Sequence, residues 1–399
     1  MTYETLALQA ASAQARYDWQ ADVTALAGKM GRFLQAGLFV PGCVGPDGRA
    51  AIACAGACGP VRPGRAAAFA RGVFFPQALA GREAVPALGL PAAPDAATLQ
   101  PLRENEGCAV GFIDLAAHLR TEDGSPGVDW ARLGHTAEKA VFFLDSCIDV
   151  AQYPDAACSR ASRAARKLAL GAFGLAEVLA ALGLAYDSPP ARALAARLFA
   201  CITAQARAAS RALAKERRAF PLFAESRLAG GAPMRNAMCT GLAPSDGPAR
   251  AAGRTPGICP MDGDDVPARA RLQMQAAVEA QVDGTAAVPL YPAGQGELQQ
   301  LCVEACRMGC TLACLGAPPK PAGPAFPAQG PVQPSPFVPE PAEQEPPAPE
   351  PPAPAQKPAP AGIRFCPACG SPVHPGPDGP LCPLCGPLRH AGRSAPAPG

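Results

Sequence analysis

Aromatic and histidine side chains are scarce: 15 Phe, 5 Tyr, 2 Trp and 4 His in 399 residues. The apolar fraction is an ordinary 49%, but much of it is alanine, so any core is assembled from residues that each bury little area. An excess of either charge is missing too. Lys and Arg total 35 against 33 Asp and Glu, which removes the electrostatic case for a nucleic-acid or anionic-membrane partner. The opening MTYETLALQAASAQAR lacks the basic start and apolar middle of a secretory signal. The most apolar run, Leu168 to Tyr186, carries Glu177 near its middle, where a charge in a bilayer would cost about 3 kcal/mol. It reads as a buried globular element. These absences point to the cytoplasm, with the 17 cysteines expected as thiols or metal ligands rather than a disulfide framework.

Proline is what the chain has in surplus, 49 residues of it, crowded toward the C-terminus. Residues 317–362, containing PVQPSPFVPEPAEQEPPAPEPPAPAQKPAP, cannot bury a core and read as a disordered, semi-rigid polyproline linker. At about 3.1 Å per residue it would reach on the order of 100 Å. Beyond it, FCPACGSPVHPGPDGPLCPLCG sets Cys366 and Cys369, then twelve residues, then Cys382 and Cys385. Two such pairs on opposed turns bring four thiolates to tetrahedral positions around one zinc ion. Gly370 and Gly386 follow the second cysteine of each pair, where a knuckle needs free backbone, and Pro367 and Pro383 repeat the rhyme. Zinc would supply most of the folding energy of so short a unit. A dithiol that shuttles electrons and a partner-binding ribbon are the rival readings. Three arginines and one aromatic give nucleic acid little to hold. The chain thus divides into an Ala/Gly-rich region 1–90, an α/β domain 91–316, the linker 317–362, a ribbon 363–387 and a tail 388–399.

Within 1–90 the pattern predicts a helix from about Glu4 to Leu34, then loop with a short strand in FVPGCVGPDGRAAIACAGACGPVRPGR. Cys54 and Cys58 lie four apart there and read as small buried residues. The middle is better patterned. CAVGFIDLAAHL suits a buried strand, and VDWARLGHTAEKAVFFLDSCIDVAQYP has helical periodicity that stops at Pro154. In DSPPARALAARLFACITAQARAASRALAKERRAF, Ser188 is a natural N-cap and Pro189 the first helical residue. Leu194, Leu198 and Ile202 then mark its inward face. Alternating strand and helix signals define an α/β class.

The segments EGCAVGFIDL, VDWARLGHTAEKAVFFLDSCIDVAQYP, RKLALGAFGLAEVLAALGLAYDS, LAKERRAFPLFAESRLAGGAPMRNAMCTGLAPS and RLQMQAAVEAQVDGTAAVPL come in a familiar order. Together, over roughly 106–316, they resemble the C-terminal half of the catalytic subunit of adenosylcobalamin-dependent (class II) ribonucleotide reductase. The ribbon resembles the cysteine-rich tail of many such reductases. The resemblance implies a partial α/β barrel, about one half-barrel, and cobalamin chemistry in which a thiyl radical takes the ribose 3′-hydrogen. It also bears on LCVEACRMGCTLACLG, where Cys302, Cys306, Cys310 and Cys314 recur every four residues. The family places a helix ending near a Gly-Cys pair there, followed by a barrel strand. Glycine is a common helix stop, so Gly309 would divide the four cysteines between helix and strand. No metal cluster is expected.

The same resemblance exposes a gap. The family's Asn-Pro-Cys-Gly-Glu motif, with its radical cysteine and glutamate, falls here on Asp95, Ala96, Ala97, Thr98 and Leu99. Cysteine is absent from the whole stretch between Cys58 and Cys108. Cys108 falls where the family has one of its redox cysteines, and its partner would be sought at Cys54 or Cys58. Arg235 and Asn236 match the family and read either as substrate-binding residues or as ties that hold their loop to the barrel, and the family's phosphate cradle reads here as Pro244, Ser245, Asp246 and Gly247. Ser245 and Gly247 remain candidates to bind a nucleotide, whereas Asp246 would repel a diphosphate. Three functions follow as expectations: a degenerate relative that assists or regulates a full-length reductase, an active reductase completed by another chain, or a zinc-ribbon binding module.

Overall fold

The computed structural model describes residues 3–18, 22–42, 49–50, 52–54, 73–74, 99–122, 124–311, 313–315, 374–376, 379–382 and 386–387. The chain opens with two helices, α1 (Glu4–Ala15) and α2 (Val23–Gln35), where the periodicity predicts one. The break is local chemistry. The Asp22 carboxylate accepts from the amides of Thr24 and Ala25 at 2.8 and 3.1 Å, starting a new helix at its N-cap. Two short strands follow, β1 (Phe39–Pro41) and β2 (Ala53–Cys54), then β3 (Val73–Phe74).

The expected buried strand is β4 (Gly107–Asp114). A small hairpin of β5 (Leu119–Glu122) and β6 (Ser125–Val128) leads into α3 (Trp130–Val150) and α4 (Ala156–Ala165). The apolar run from Leu168 then divides into strand β7 (Lys167–Phe173) and helix α5 (Leu175–Ala181), both largely buried. Gly174 joins them with φ 80°, a value that favours glycine. The long helix is α6 (Pro189–Arg217), capped as read: the Ser188 hydroxyl accepts from the Ala191 amide at 3.2 Å. Its inward face holds Ala191, Ala195, Leu198 and Ile202, whereas Leu194 is only partly buried. After it come α7 (Asp246–Ala251), α8 (Ala268–Glu279), β8 (Pro289–Leu290), α9 (Gln295–Met308) and β9 (Ala313–Leu315). Gly309, at φ 79°, ends α9 as its spacing predicts, separating Cys302 and Cys306 from Cys310 and Cys314. Among the described residues no group of three or more ligating side chains is placed to hold a metal ion. None of the described helices is long and apolar enough to cross a membrane.

β4 and β7 run parallel, paired from Cys108 with Lys167 to Asp114 with Phe173. The other edge of β4 is occupied by β1 and β2, both antiparallel to it. Beyond β7 the backbone at 238–241 continues the sheet, with the amides of Leu168 and Leu170 donating to Met238 O and Cys239 O. The amide of Leu242 then donates to Thr285 O at 2.8 Å, carrying the sheet one step further. β8 and β9 pair in parallel, and β3 joins β9. The result is an open α/β sheet around β4 and β7 with a second small sheet of β3, β9 and β8, and the described residues do not close a barrel.

Side chains alternate across this sheet. On one face Ala109, Ile113, Leu168, Leu170 and Ala172 pack against α3 in the main core, which runs without interruption from Leu6 in α1 to Cys310. The N-terminal helices therefore share a core with the α/β domain. Gly111 is needed on that face, since a methyl group there would lie 2.6 Å from the Phe39 ring of β1. The opposite, inner face carries Cys108, Val110, Phe112, Ala169 and Phe173.

Toward the C-terminus three short strands are described: β10 (His374–Gly376), β11 (Gly379–Cys382) and β12 (Gly386–Pro387), in antiparallel succession. Cys366, Cys369 and Cys385 lie outside the described residues, and Cys382 is placed only as the last residue of β11.

Candidate functional site

The inner face of the sheet around β4 is the candidate site, because Cys108 stands there at the head of β4. Cys108 is fully buried. In register it faces Lys167 on one side and Ala53 on the other, with Cys54 opposite Gly107. Cys54 thus lies on the strand beside Cys108, while Cys58 lies outside the described residues.

A buried ion pair flanks the thiol. Lys167 Nζ lies 2.5 Å from Glu106 Oε2 and donates to Pro101 O at 2.8 Å, with both charged side chains about 3% exposed. Burial pushes the Lys167 ammonium below its usual pKa, and the neighbouring Glu106 carboxylate opposes that shift. Glu106 also accepts from the Arg103 amide at 2.8 Å.

The chain before β4 lies across this face. Gln100 is fully buried, and its Oε1 accepts from the Thr285 amide at 3.1 Å. The Thr285 hydroxyl donates to Leu99 O. The Gln100 amide sits in a slot opened by Gly241 and Gly284, where a methyl group on either would overlap it. Leu102 completes an apolar cluster with Cys108, Val110, Phe112, Ala169, Phe173, Met238, Ala243 and Ala249, each less than a tenth exposed. A nucleotide or a corrin ring would have to displace residues 99–106 to reach Cys108. As folded, the residues present do not fit adenosylcobalamin at this face.

The loop residues named from sequence divide between two places. Arg235 and Asn236 are fully buried, far from solvent, in a polar network centred on Asp145. Asn236 Nδ2 donates to Asp145 Oδ1 at 3.0 Å, and Ser210 Oγ donates to Asn236 Oδ1 at 2.9 Å. Arg166 donates from Nε to Asp145 Oδ1 at 2.9 Å and from Nη1 to Asp149 Oδ1 at 2.7 Å. Arg217 reaches Asp145 Oδ2 at 3.1 Å, and Arg235 Nη2 donates to the Tyr17 hydroxyl at 2.9 Å. Burial alone would raise both carboxyls. Arg166, Arg235 and Arg217 together hold Asp145 below the usual range, and Arg166 does the same for Asp149. Burial and Asp149 push the Tyr17 phenol up to about 12. Arg217 and Arg235 both lie over the Tyr17 ring, so the network fastens the end of α1 to the domain.

Ser245 and Gly247 belong elsewhere. The Ser245 hydroxyl is buried and accepts from the Gly257 amide at 2.8 Å, while Asp246 and Gly247 open α7 at the surface. Arg235 and Asn236 thus converge on Asp145, whereas Ser245 holds the loop that returns at Gly257. Gln100, Glu106 and Lys167 went unmarked in the sequence. A lysine opening an otherwise apolar strand, RKLALGAF, was the one available signal.

The comparisons with known proteins agree with this architecture. Residues 97–264 match the family described as ribonucleotide reductase, barrel domain. The curated relatives of this segment are ribonucleoside-diphosphate reductases, some of them named as vitamin B12-dependent. The chain is 50% identical over 161 residues to a vitamin B12-dependent ribonucleoside-diphosphate reductase of Mycobacterium tuberculosis, covering 40% of this chain and 23% of that protein. It is 35% identical over 147 residues to the protein of the same name from Thermoplasma acidophilum, covering 37% of this chain and 19% of that protein. A solved structure, the class Id ribonucleotide reductase alpha subunit of Actinobacillus ureae, aligns at TM-score 0.44 and 17% identity over 56% of this chain and 53% of that one, too slight a likeness to define a fold. The chain carries a ribonucleotide-reductase-like segment of the cobalamin-dependent kind, and it spans less than a quarter of the length of those two curated relatives.

Proposed function

We propose that this protein is a degenerate relative of cobalamin-dependent ribonucleotide reductase that assists or regulates a full-length reductase in deoxyribonucleotide synthesis. The carrying observation is Ala97: it stands where the resemblance expects the radical cysteine, and no other cysteine lies between Cys58 and Cys108. A methyl group cannot store and return a hydrogen atom as a thiol does. The buried inner face supports the same reading, because the path to Cys108 is filled by the chain's own residues.

Completion by a second chain is the weaker alternative, since the radical cysteine is missing from this chain and both edges of β4 are already paired, by β1 and β2 on one side and β7 on the other. The test uses the full chain with adenosylcobalamin, a dithiol and ribonucleotides. Turnover is expected to stay at background, and adding the protein to a full-length cobalamin-dependent reductase is expected to change that enzyme's rate. Deoxyribonucleotide formation by the purified chain alone would overturn the reading.

The ribbon is part of the proposal. Four cysteines in two Cys-x2-Cys pairs would bind one zinc as a structural knuckle, and the antiparallel β10–β11 pairing of the backbone between the pairs supports it. Metal analysis is expected to give one zinc per chain for the wild type and close to none for Cys382→Ala. Equal zinc content in both would exclude the four-cysteine site.

A further inference from the structure

We infer that residues 99–106 form a releasable plug, a built-in strap that closes the inner face of the sheet and shields Cys108. The contacts that hold this segment are mostly polar. The Thr285 amide and hydroxyl hold Gln100 and Leu99, and Lys167 holds Pro101 and Glu106. Leu102 alone contributes a large apolar side chain to the cluster around Cys108. Hydrogen bonds contribute little net stability each, because water replaces them on opening, so the buried Lys167–Glu106 pair is the one strong tie of the segment. A segment fixed this way opens at lower free energy than the sheet beneath it, which is held by apolar burial on both faces.

Its backbone is also under tension at one end. Leu99 adopts φ 57°, a left-handed conformation unfavourable for a branched side chain. Asn105, at φ 63°, marks the other end, and asparagine tolerates that region well. Strain at the Gln100 end and tolerance at the Asn105 end make Asn105 the natural pivot. The slot itself is specific: Gly241 and Gly284 leave room for one side-chain amide, and that amide belongs to Gln100. Cys108 becomes accessible when Gln100 leaves the slot and Leu102 lifts with it. The inference concerns the chain alone and needs no turnover, so it stands or falls separately from the proposed role beside a reductase.

The test is alkylation of the full-length protein with iodoacetamide, read peptide by peptide by mass spectrometry. Cys108 is compared with Cys147, equally buried but in the core on the other face. Gln100→Ala and, more mildly, Thr285→Val are expected to raise the Cys108 rate roughly tenfold while leaving Cys147 unchanged. If neither variant changes Cys108, or if both cysteines accelerate together, the segment is an ordinary part of the core and the inference fails. Wild-type hydrogen exchange gives a second reading without any substitution. The bonded amides of Arg103 and Glu106 are expected to exchange faster than those of β4, and equal rates would overturn the plug.

Discussion

Asp145→Asn is expected to destabilise the protein by roughly 3–5 kcal/mol, the range for breaking a buried ion pair from one side. The substitution keeps the shape of the side chain but removes its charge and turns one acceptor oxygen into a donor that faces other donors. Arg166, Arg217 and Arg235 all face this carboxylate, and none of them is more than marginally exposed. Asp149 then remains as the one other carboxylate in the network, already bonded to Arg166 and to the Tyr17 hydroxyl. Cations left without a counter-charge cannot shed their protons as a lysine would. A domain of this kind is stable by about 5–15 kcal/mol, so the variant should lose a large share of its stability and melt roughly 6–20 °C lower than the wild type. Urea titration of wild type and Asp145→Asn measures this directly. A loss under about 1 kcal/mol would mean that water or a bound anion reaches the network.

The second large effect is a pair of opposed pH dependences. Burial depresses the His118 imidazole to about 4 from 6.5, against the raising influence of its bond to Asp114 O. Arg132 and Asp129 are the charges that face it. The folded state therefore keeps this ring neutral while the unfolded chain protonates, and stability is lost as pH falls from 6.5 toward 4. Glu279 behaves in reverse. Burial raises its carboxyl to about 7 from 4.5, despite hydrogen bonds from Thr311 and Gln275. Its stabilising contribution is complete below 4.5 and disappears as pH rises through 7. Each shift corresponds to about 3 kcal/mol at most. Between pH 4.5 and 6.5 the two slopes cancel in the wild type. Glu279→Gln is expected to leave a stability that climbs from pH 4 to 6.5, and His118→Asn one that falls from 4.5 to 7. Parallel pH profiles for the two variants would contradict both assignments.

Much of the domain was legible before the structure. Ser188 and Pro189 fixed the start of α6, and Gly309 fixed the end of α9, because caps and stops are local chemistry within one turn of chain. β4 and β7 were readable as apolar runs, though Leu168 to Tyr186 by itself did not reveal its change from strand to helix at Gly174. The single N-terminal helix was misread because alanine-rich periodicity continues past residue 16, and Asp22 interrupts it only through a side-chain cap. The network around Asp145 was illegible. Its members come from the end of α1, from α3, from the cap of α4, from α6 and from the loop after α6, and no spacing connects them.

The amino-acid order by itself carries the basis of the proposed loss of turnover: an alanine at position 97, where the resemblance expects a cysteine, and no sulfur for 49 residues between Cys58 and Cys108. It likewise carries the two Cys-x2-Cys spacings and the proline-rich composition on which the proposed ribbon and linker rest, since both are properties of adjacent residues. Tertiary structure alone decided that Arg235 and Asn236 are buried with Asp145, and that Gln100 lies in a slot between two glycines far along the chain. Such contacts depend on which surfaces the sheet brings face to face, and hydrophobic period carries no record of that.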